Sequence, residues 1–90
     1  MNNQNFNENN IEKYFEVLSK DLSKYGYMCV QKTYGIWVFP KGISKRGQTL
    51  KHLVCAIYGK TENHIDWGPN YSLKSKLENL IIESIQSIDN

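Results

Sequence analysis

The stretch that decides the fold is residues 22–61, LSKYGYMCVQKTYGIWVFPKGISKRGQTLKHLVCAIYGKT. These forty residues contain no Asp and no Glu, although the whole chain has nine such acids and a net charge of only +2. They hold seven basic residues: Lys24, Lys32, Lys41, Lys45, Arg46, Lys51 and Lys60. Separation of charge along a chain points to an anionic partner. We therefore interpret the stretch as most of a β-sheet with one cationic side.

A tight hairpin is predicted in the first half of this stretch. Alternating side chains predict a strand over residues 27–32, a short turn over 33–35 and a second strand over 36–39. Pro40 should end the second strand, because proline has no N–H for the ladder. Both faces of that strand are apolar, which indicates a central strand or a second face with a partner of its own.

The second half predicts a mobile basic loop over residues 41–48 and the longest strand over 49–58. In that register His52 and Tyr58 share one face, and Lys51 lies on the other. Residues 64–67 can pair back as a short fourth strand.

Amphipathic helices are predicted on both sides of the strands. The first has an apolar stripe at three- and four-residue spacing, made of Ile11, Tyr14, Phe15, Leu18, Leu22 and Tyr25. Asn9 or Asn10 should cap its start, and Gly26 should end it. The second helix should be capped by Asn70 or Ser72. Its stripe is Leu73, Leu77, Leu80, Ile81, Ser84, Ile85 and Ile88, widened by Ile82.

These elements predict an α+β fold of order α-β-β-β-(β)-α. A three- or four-stranded antiparallel sheet would carry two helices on one face and leave the other face open. Residues 1–9 are expected to form a disordered polar tail, and residues 10–90 a single domain. No apolar run reaches the ~20 residues of a membrane span, and the N-terminal residues do not resemble a signal peptide. We therefore expect a cytoplasmic protein.

Two cysteines, Cys29 and Cys55, lie in apolar, strand-like runs. A disulfide between them would require adjacent strands and a shared face. In a cytoplasmic protein we expect both to be reduced, buried apolar side chains.

No motif for catalysis stands out, so we predict that the protein is not an enzyme and uses no metal or cofactor. His52 and Cys55 make half of a zinc ligand set, and no second pair has zinc-like spacing. Cys55, His64 and Asp66 can be combined into a Cys-His-Asp triad, but no local sequence supports it. The glycines match neither the phosphate-binding loop nor the dinucleotide pattern.

The open sheet face is the candidate binding surface, with Trp67 near its edge. Aromatic side chains stack on bases and basic side chains meet phosphates, although the same aromatics could instead close a small core. The start of the second helix, where two lysines oppose the helix dipole, is either an anion site or a solvated surface. The predicted binding residues are Lys32, Trp37, Phe39, Lys41, Lys45, Arg46, Lys51, His52, Tyr58, Lys74 and Lys76.

Two short resemblances accompany these patterns. The order helix, three strands, helix, with Lys74 and Lys76 at the second helix start, is similar to a double-stranded-RNA-binding domain, whose Gly-Pro-x-His loop is absent here. Residues 25–39, with Gly26 and the run at 34–39, resemble the HicA mRNA interferases, whose catalytic His is replaced here by Ile36. Neither resemblance carries an activity over to this chain.

We expect a small non-enzymatic binding module whose basic, aromatic sheet face binds an anionic partner, with nucleic acid favoured. The alternative is a small inhibitor or adaptor that binds a protein, for example a phage-type inhibitor of a host defence or nucleic-acid-handling protein. Ten Lys, ten Asn and nine Ile indicate an AT-rich genome, such as that of a low-GC bacterium or its phage. No membrane partner is expected, and a homodimer would add to the modest stability of so short a domain.

Overall fold

The computed structural model describes residues 5–69 and 74–89 of the 90-residue chain. Its elements are α1 (Ile11–Ser23), β1 (Tyr27–Gln31), β2 (Ile36–Pro40), β3 (Cys55–Ile57), β4 (Ile65–Trp67) and α2 (Lys74–Asp89). The four strands pair antiparallel in chain order, β1-β2-β3-β4. The two helices pack together against the sheet. The α+β prediction is therefore confirmed, with the fourth strand present.

Helix α1 forms because its apolar residues recur on one side, and Ile11, Tyr14, Leu18 and Leu22 are buried. Tyr25, which the predicted stripe included, lies beyond the helix and is 58 % exposed. The chain turns into β1 through Gly26, whose φ of 89° is in the left-handed region that glycine adopts without strain.

The prediction for the cap of α1 is correct in its residue and wrong in its hydrogen bond. Asn10 occupies the N-cap position, but its side chain makes no capping bond to the helix. Its Oδ1 accepts instead from the backbone N–H of Asn7, at 2.8 Å. Asn7 in turn accepts through Oδ1 from the N–H groups of Asn9 and Asn10, and through its carbonyl from Ile11. Asn7 therefore organises the turn that leads into α1.

The polar segment before α1 differs from the expected disordered tail in its described part, residues 5–9. The Phe6 side chain is 3 % exposed and stacks on the Tyr14 ring, with 4.8 Å between centroids. The Phe6 N–H donates to the Tyr58 carbonyl at 2.8 Å, and Asn5 forms a bridge with Gly59. One buried aromatic side chain and two backbone contacts thus hold the segment to the core. Residues 1–4 lie outside the described part.

The core lies between the helices and one face of the sheet. One cross-strand row on that face joins Cys29, Val38, Cys55 and Trp67. A second row joins Ile36 to Ile57 and Ile65, which are all buried. Trp67, expected at the edge of the open face, therefore points to the helices and packs against the core. Strand register decides this placement, because residues paired across a ladder share a face.

The longest predicted strand, residues 49–58, is mostly not a strand. Only Cys55–Ile57 pair, and Leu50–His52 form a turn of 3₁₀ helix. The register places Val38 opposite Cys55, so Pro40 would lie opposite Leu53. Because β2 ends at Pro40, residues before Leu53 have no strand to pair with. Their N–H groups bond locally instead, as His52 does to the Thr49 carbonyl at 3.1 Å.

Helix α2 completes the core with Leu77, Ile81, Ser84 and Ile85, which are buried. Leu80, Ile82 and Ile88 pack at the margin of the core, as the predicted stripe required. The predicted caps, Asn70 and Ser72, and Leu73 fall outside the described residues. Neither described helix is long and apolar enough to cross a membrane.

Polar contacts tie the two helices together. The Ser84 hydroxyl donates to Asp21 Oδ2 at 2.7 Å. The Tyr14 hydroxyl donates to Asp89 Oδ1 at 2.6 Å, and Lys60 Nζ lies 3.7 Å from Asp89 Oδ2. Burial raises the pKa of Tyr14, and the hydrogen bond to Asp89 raises it further. Near its last turn, α2 is therefore fixed both to α1 and to the β3–β4 connection.

Candidate functional site

The sheet face opposite the helices, which we call the open face, carries the alternate side chains of each strand. The pairing places Val30, Trp37, Ala56 and Asp66 in one row across the four strands. Met28 and Phe39 form a neighbouring pair on β1 and β2. The sheet faces were predicted correctly for Trp37 and Phe39, which do point away from the helix-facing Ile36 and Val38.

Lys32 and Trp37 form a cation–π pair on the open face. Lys32 Nζ lies 4.8 Å from the centroid of the Trp37 ring. The contact follows from the hairpin, because Trp37 pairs with Val30 and Lys32 lies two residues further along the same face. The Lys32 side chain is exposed and the Trp37 side chain is half-buried. A cation and an indole are therefore presented together to solvent.

Tyr58 lies beside this pair on the other side of Gly35. A Cβ added to Gly35 would be 2.8 Å from two carbons of the Tyr58 ring, so that ring lies directly against the glycine backbone. Tyr58 is 37 % exposed, and its N–H donates to the His64 carbonyl at 2.8 Å. We call Lys32, Trp37 and Tyr58 the hairpin-end cluster.

Phe39, although predicted as a binding residue, is not accessible on the open face. Its side chain is completely buried, although it shares the open face with Trp37 and the two ring centroids are 6.3 Å apart. The open face is therefore covered at the Pro40 end of β2 and accessible at the hairpin end. Phe39 is therefore buried, as the alternative interpretation of these aromatics requires, although it lies on the face opposite the core cluster, whereas Trp37 is only half-buried.

The other predicted cations are divided among several places. Lys45 and Arg46 are exposed in a 3₁₀ turn, Lys45–Gly47, and Lys51 and His52 are exposed in the next turn, Leu50–His52. We call the connection that carries them, residues 41–54, the basic connection. Lys41 is held at its start, because its Nζ donates to Ser23 Oγ at 2.9 Å.

Lys76, in the first turn of α2, is not brought to the open face. Lys76 is exposed on the helix layer, where it lines a cavity of about 420 Å³ with Tyr25, Tyr27, Leu80 and other residues. Lys74 is the first residue of α2, and its side chain lies outside the described part. Sequence reasoning missed Tyr25 and Tyr27 as cavity residues because only the packing of α2 beside the α1–β1 turn brings them together.

Acids are few on the open face but not absent. Asp66 is exposed in the same row as Trp37, separated from it by Ala56 on β3. Two strand spacings, about 9.5 Å, therefore separate the two backbones. The favourable potential for an anion lies toward β1, β2 and the basic connection, away from β4.

The cysteines have the chemistry of apolar core residues. Cys29 and Cys55 share the helix-facing side but lie two strands apart with Val38 between them, and both are free thiols. Burial raises the pKa of Cys29 to about 11, and burial also raises the pKa of Cys55. Neither is therefore an activated thiolate at neutral pH.

The triad considered from the sequence is not assembled. Cys55 faces the helices, whereas Asp66, paired with Ala56, lies on the open face. The Nδ1 of His64 is 2.8 Å from Thr61 Oγ1, in its own turn. Within residues 5–69 and 74–89, no group of three or more His, Cys, Asp or Glu could hold a metal ion.

Comparison of the chain with models of protein families, with curated proteins and with solved structures finds no match in any of the three.

Proposed function

We propose that the protein binds single-stranded nucleic acid from the hairpin-end cluster, on the accessible end of the open face, toward the basic connection beyond the covered end. The observation that carries the proposal is the Lys32–Trp37 pair, with Nζ 4.8 Å from the ring centroid, on the face away from the helices. A half-exposed indole offers a stacking surface for a base, and the lysine beside it offers a contact for the adjoining phosphate.

The length of β2 sets the scale of this site. Six residue steps separate Gly35, which lies against Tyr58 of the hairpin-end cluster, from Lys41, at the start of the basic connection. At about 3.4 Å per residue the two ends are roughly 20 Å apart. Six nucleotides at the stacked spacing of about 3.4 Å per strand would cover this length. Cations lie at both ends, and Asp66 disfavours a path across β4.

The test measures fluorescence anisotropy of short labelled DNA and RNA oligonucleotides, single- and double-stranded, over a series of salt concentrations. For single strands, log K should fall linearly with log salt, with a slope of about −0.7 per phosphate contact. Trp37→Ala should weaken binding by roughly 5- to 150-fold, because stacking contributes ~1–3 kcal/mol per base. Lys45→Ala should instead reduce the slope by about 0.7.

Lys20→Ala is the matched control, since Lys20 is an exposed lysine on α1, in the helix layer. It should leave both the affinity and the slope unchanged. The proposal is wrong if none of the oligonucleotides binds at the lowest salt concentration, or if Lys20→Ala reduces the salt slope as much as Lys45→Ala.

A protein partner is the second candidate, and exposed apolar side chains favour it. Leu50 is 65 % exposed within the basic connection, and Tyr34 is 57 % exposed at the hairpin turn. Such side chains, rimmed by cations, suit the anchors of a protein interface better than a site for phosphates. Leu50→Ser should then abolish capture of a stoichiometric, nuclease-resistant partner from the native host, without changing binding to oligonucleotides. Capture of only nuclease-sensitive ribonucleoproteins would reject this candidate.

A further inference from the structure

The two edge strands of the sheet, β1 and β4, differ in how well they are protected against pairing with another chain. β4 is three residues long and carries the exposed Asp66. β1 is five residues long, Tyr-Met-Cys-Val-Gln, with no charge and no proline, and its register with β2 is continuous without a bulge. Charged residues, proline, bulges and shortness are the devices that prevent a strand edge from pairing with another chain. β1 has none of them.

The outward hydrogen-bonding groups of β1 can be assigned from its ladder. The Lys32 N–H donates to the Gly35 carbonyl at 2.8 Å, and the Lys41 N–H donates to the Gly26 carbonyl at 2.9 Å. Because antiparallel partners alternate between bonded and non-bonded pairs, the even-numbered residues of β1 bond to β2. Cys29 and Gln31 therefore direct their N–H and C=O groups to the outer edge. No backbone hydrogen bond joins either residue to another part of the described chain.

We propose that β1 pairs antiparallel with β1 of a second copy, forming one continuous sheet across the dimer. A two-fold axis beside Val30 pairs Cys29 of each copy with Gln31 of the other. The two equivalent pairs exchange four hydrogen bonds. Because β1 has no charged side chain, no like charges oppose each other across the paired strands. The edge is thus self-complementary, as an interface with two-fold symmetry requires.

The charges on α1 favour a second copy over an unrelated strand. α1 joins β1 through a short turn and packs against it, so the two elements run antiparallel. Glu12 and Glu16 are exposed in its first half, and Lys20 and Lys24 are exposed at its end. The two-fold axis lays the α1 helices antiparallel, which brings the acidic half of one helix toward the basic end of the other.

Gln31→Pro tests the proposal, with sedimentation equilibrium as the assay. Proline removes the outward N–H of Gln31 and spares the bonds to β2, so an edge strand should tolerate it. The wild-type chain should form a dimer that dissociates on dilution. Gln31→Pro should weaken this association by at least about tenfold, because each hydrogen bond is lost twice by symmetry. Gln31→Thr keeps the N–H and is the matched control, with the association expected unchanged.

Amide hydrogen exchange locates the interface independently. The Cys29 and Gln31 amides should exchange slowly at high protein concentration and quickly on dilution. Circular dichroism spectra of Gln31→Pro should match those of the wild type, which separates lost pairing from lost folding. A chain that stays monomeric at the highest concentration would overturn the proposal. A dimer that persists in Gln31→Pro, or whose Cys29 and Gln31 amides remain unprotected, would do the same.

Discussion

Replacing Phe39 by Ala should destabilise the domain far more than replacing its neighbour Trp37. The Phe39 side chain is completely buried, so its removal should cost the ~3–5 kcal/mol of a fully enclosed Phe→Ala change. Trp37 is only half-buried, and Trp37→Ala should cost about 1–2 kcal/mol. At roughly 0.05–0.15 kcal/mol per residue, a domain of this length has about 5–13 kcal/mol in total. Phe39→Ala would therefore remove a large part of it.

Urea denaturation followed by far-ultraviolet circular dichroism measures the difference. With an m-value of roughly 1.5 kcal/mol per molar urea, the Phe39→Ala midpoint should fall by about 2–3 M and the Trp37→Ala midpoint by about 1 M. Phe39→Leu, which keeps most of the buried volume, should lose less than about 1.5 kcal/mol. Equal losses for Phe39→Ala and Trp37→Ala would refute the assignment of Phe39 to the core and of Trp37 to the surface.

Four further expectations follow from single contacts. Ser84→Ala leaves the Asp21 carboxylate without the hydroxyl that donates to it at 2.7 Å, so urea unfolding should show a loss of about 1–2 kcal/mol. Gly26→Ala forces an alanine to a φ of 89° with no atom within 4 Å of the new Cβ, so strain alone should cost about 1 kcal/mol by the same assay. Burial raises the pKa of Cys29 from 9.0 to about 11, so the folded state keeps a proton that the unfolded chain loses. The resulting stability is complete below about pH 9 and should fall by roughly 2–3 kcal/mol as the pH rises through 11, seen as a shrinking difference between wild type and Cys29→Ala in urea. Asp66→Asn removes a charge about 10 Å from the proposed nucleic-acid path. Oligonucleotide affinity measured by anisotropy at low salt, where screening is weak, should rise about twofold, and an unchanged affinity would contradict that path.

The helices and the first hairpin could be predicted because their signals are local. The 3.6-residue stripe of α1 and the alternation on both sides of Gly35 depend only on neighbours in sequence. The strand predicted over residues 49–58 failed because pairing depends on what the partner strand offers, and β2 offers nothing beyond Pro40. Residues 5–9 were predicted to be disordered because composition cannot show that Phe6 reaches the Tyr14 ring.

The candidate site could be predicted in outline but not resolved into surface and core. Period-two alternation correctly places Trp37 and Phe39 on the same face. It does not show which part of that face is covered, because cover comes from residues distant in sequence. The contact of the Tyr58 ring with Gly35 likewise required the register of β2 and β3, which no local pattern specifies. For the same reason, no local pattern showed that Lys76 lies on the helix layer, away from Lys32 and the cations of the basic connection.

The contact between Tyr14 and Asp89 bears on the order in which the chain can fold. The two residues are 75 positions apart, and the Tyr14 side chain is completely buried once the domain is assembled. During synthesis α1 and the hairpin emerge long before Asp89, so the Tyr14 hydroxyl has to remain accessible to water until α2 docks. Bringing two residues so distant in sequence together costs conformational entropy before the contact can stabilise the fold. A nascent chain stopped before Lys74, and so without α2, would therefore retain a partly open helix layer, and docking of α2 would be the step that commits the domain to its native state.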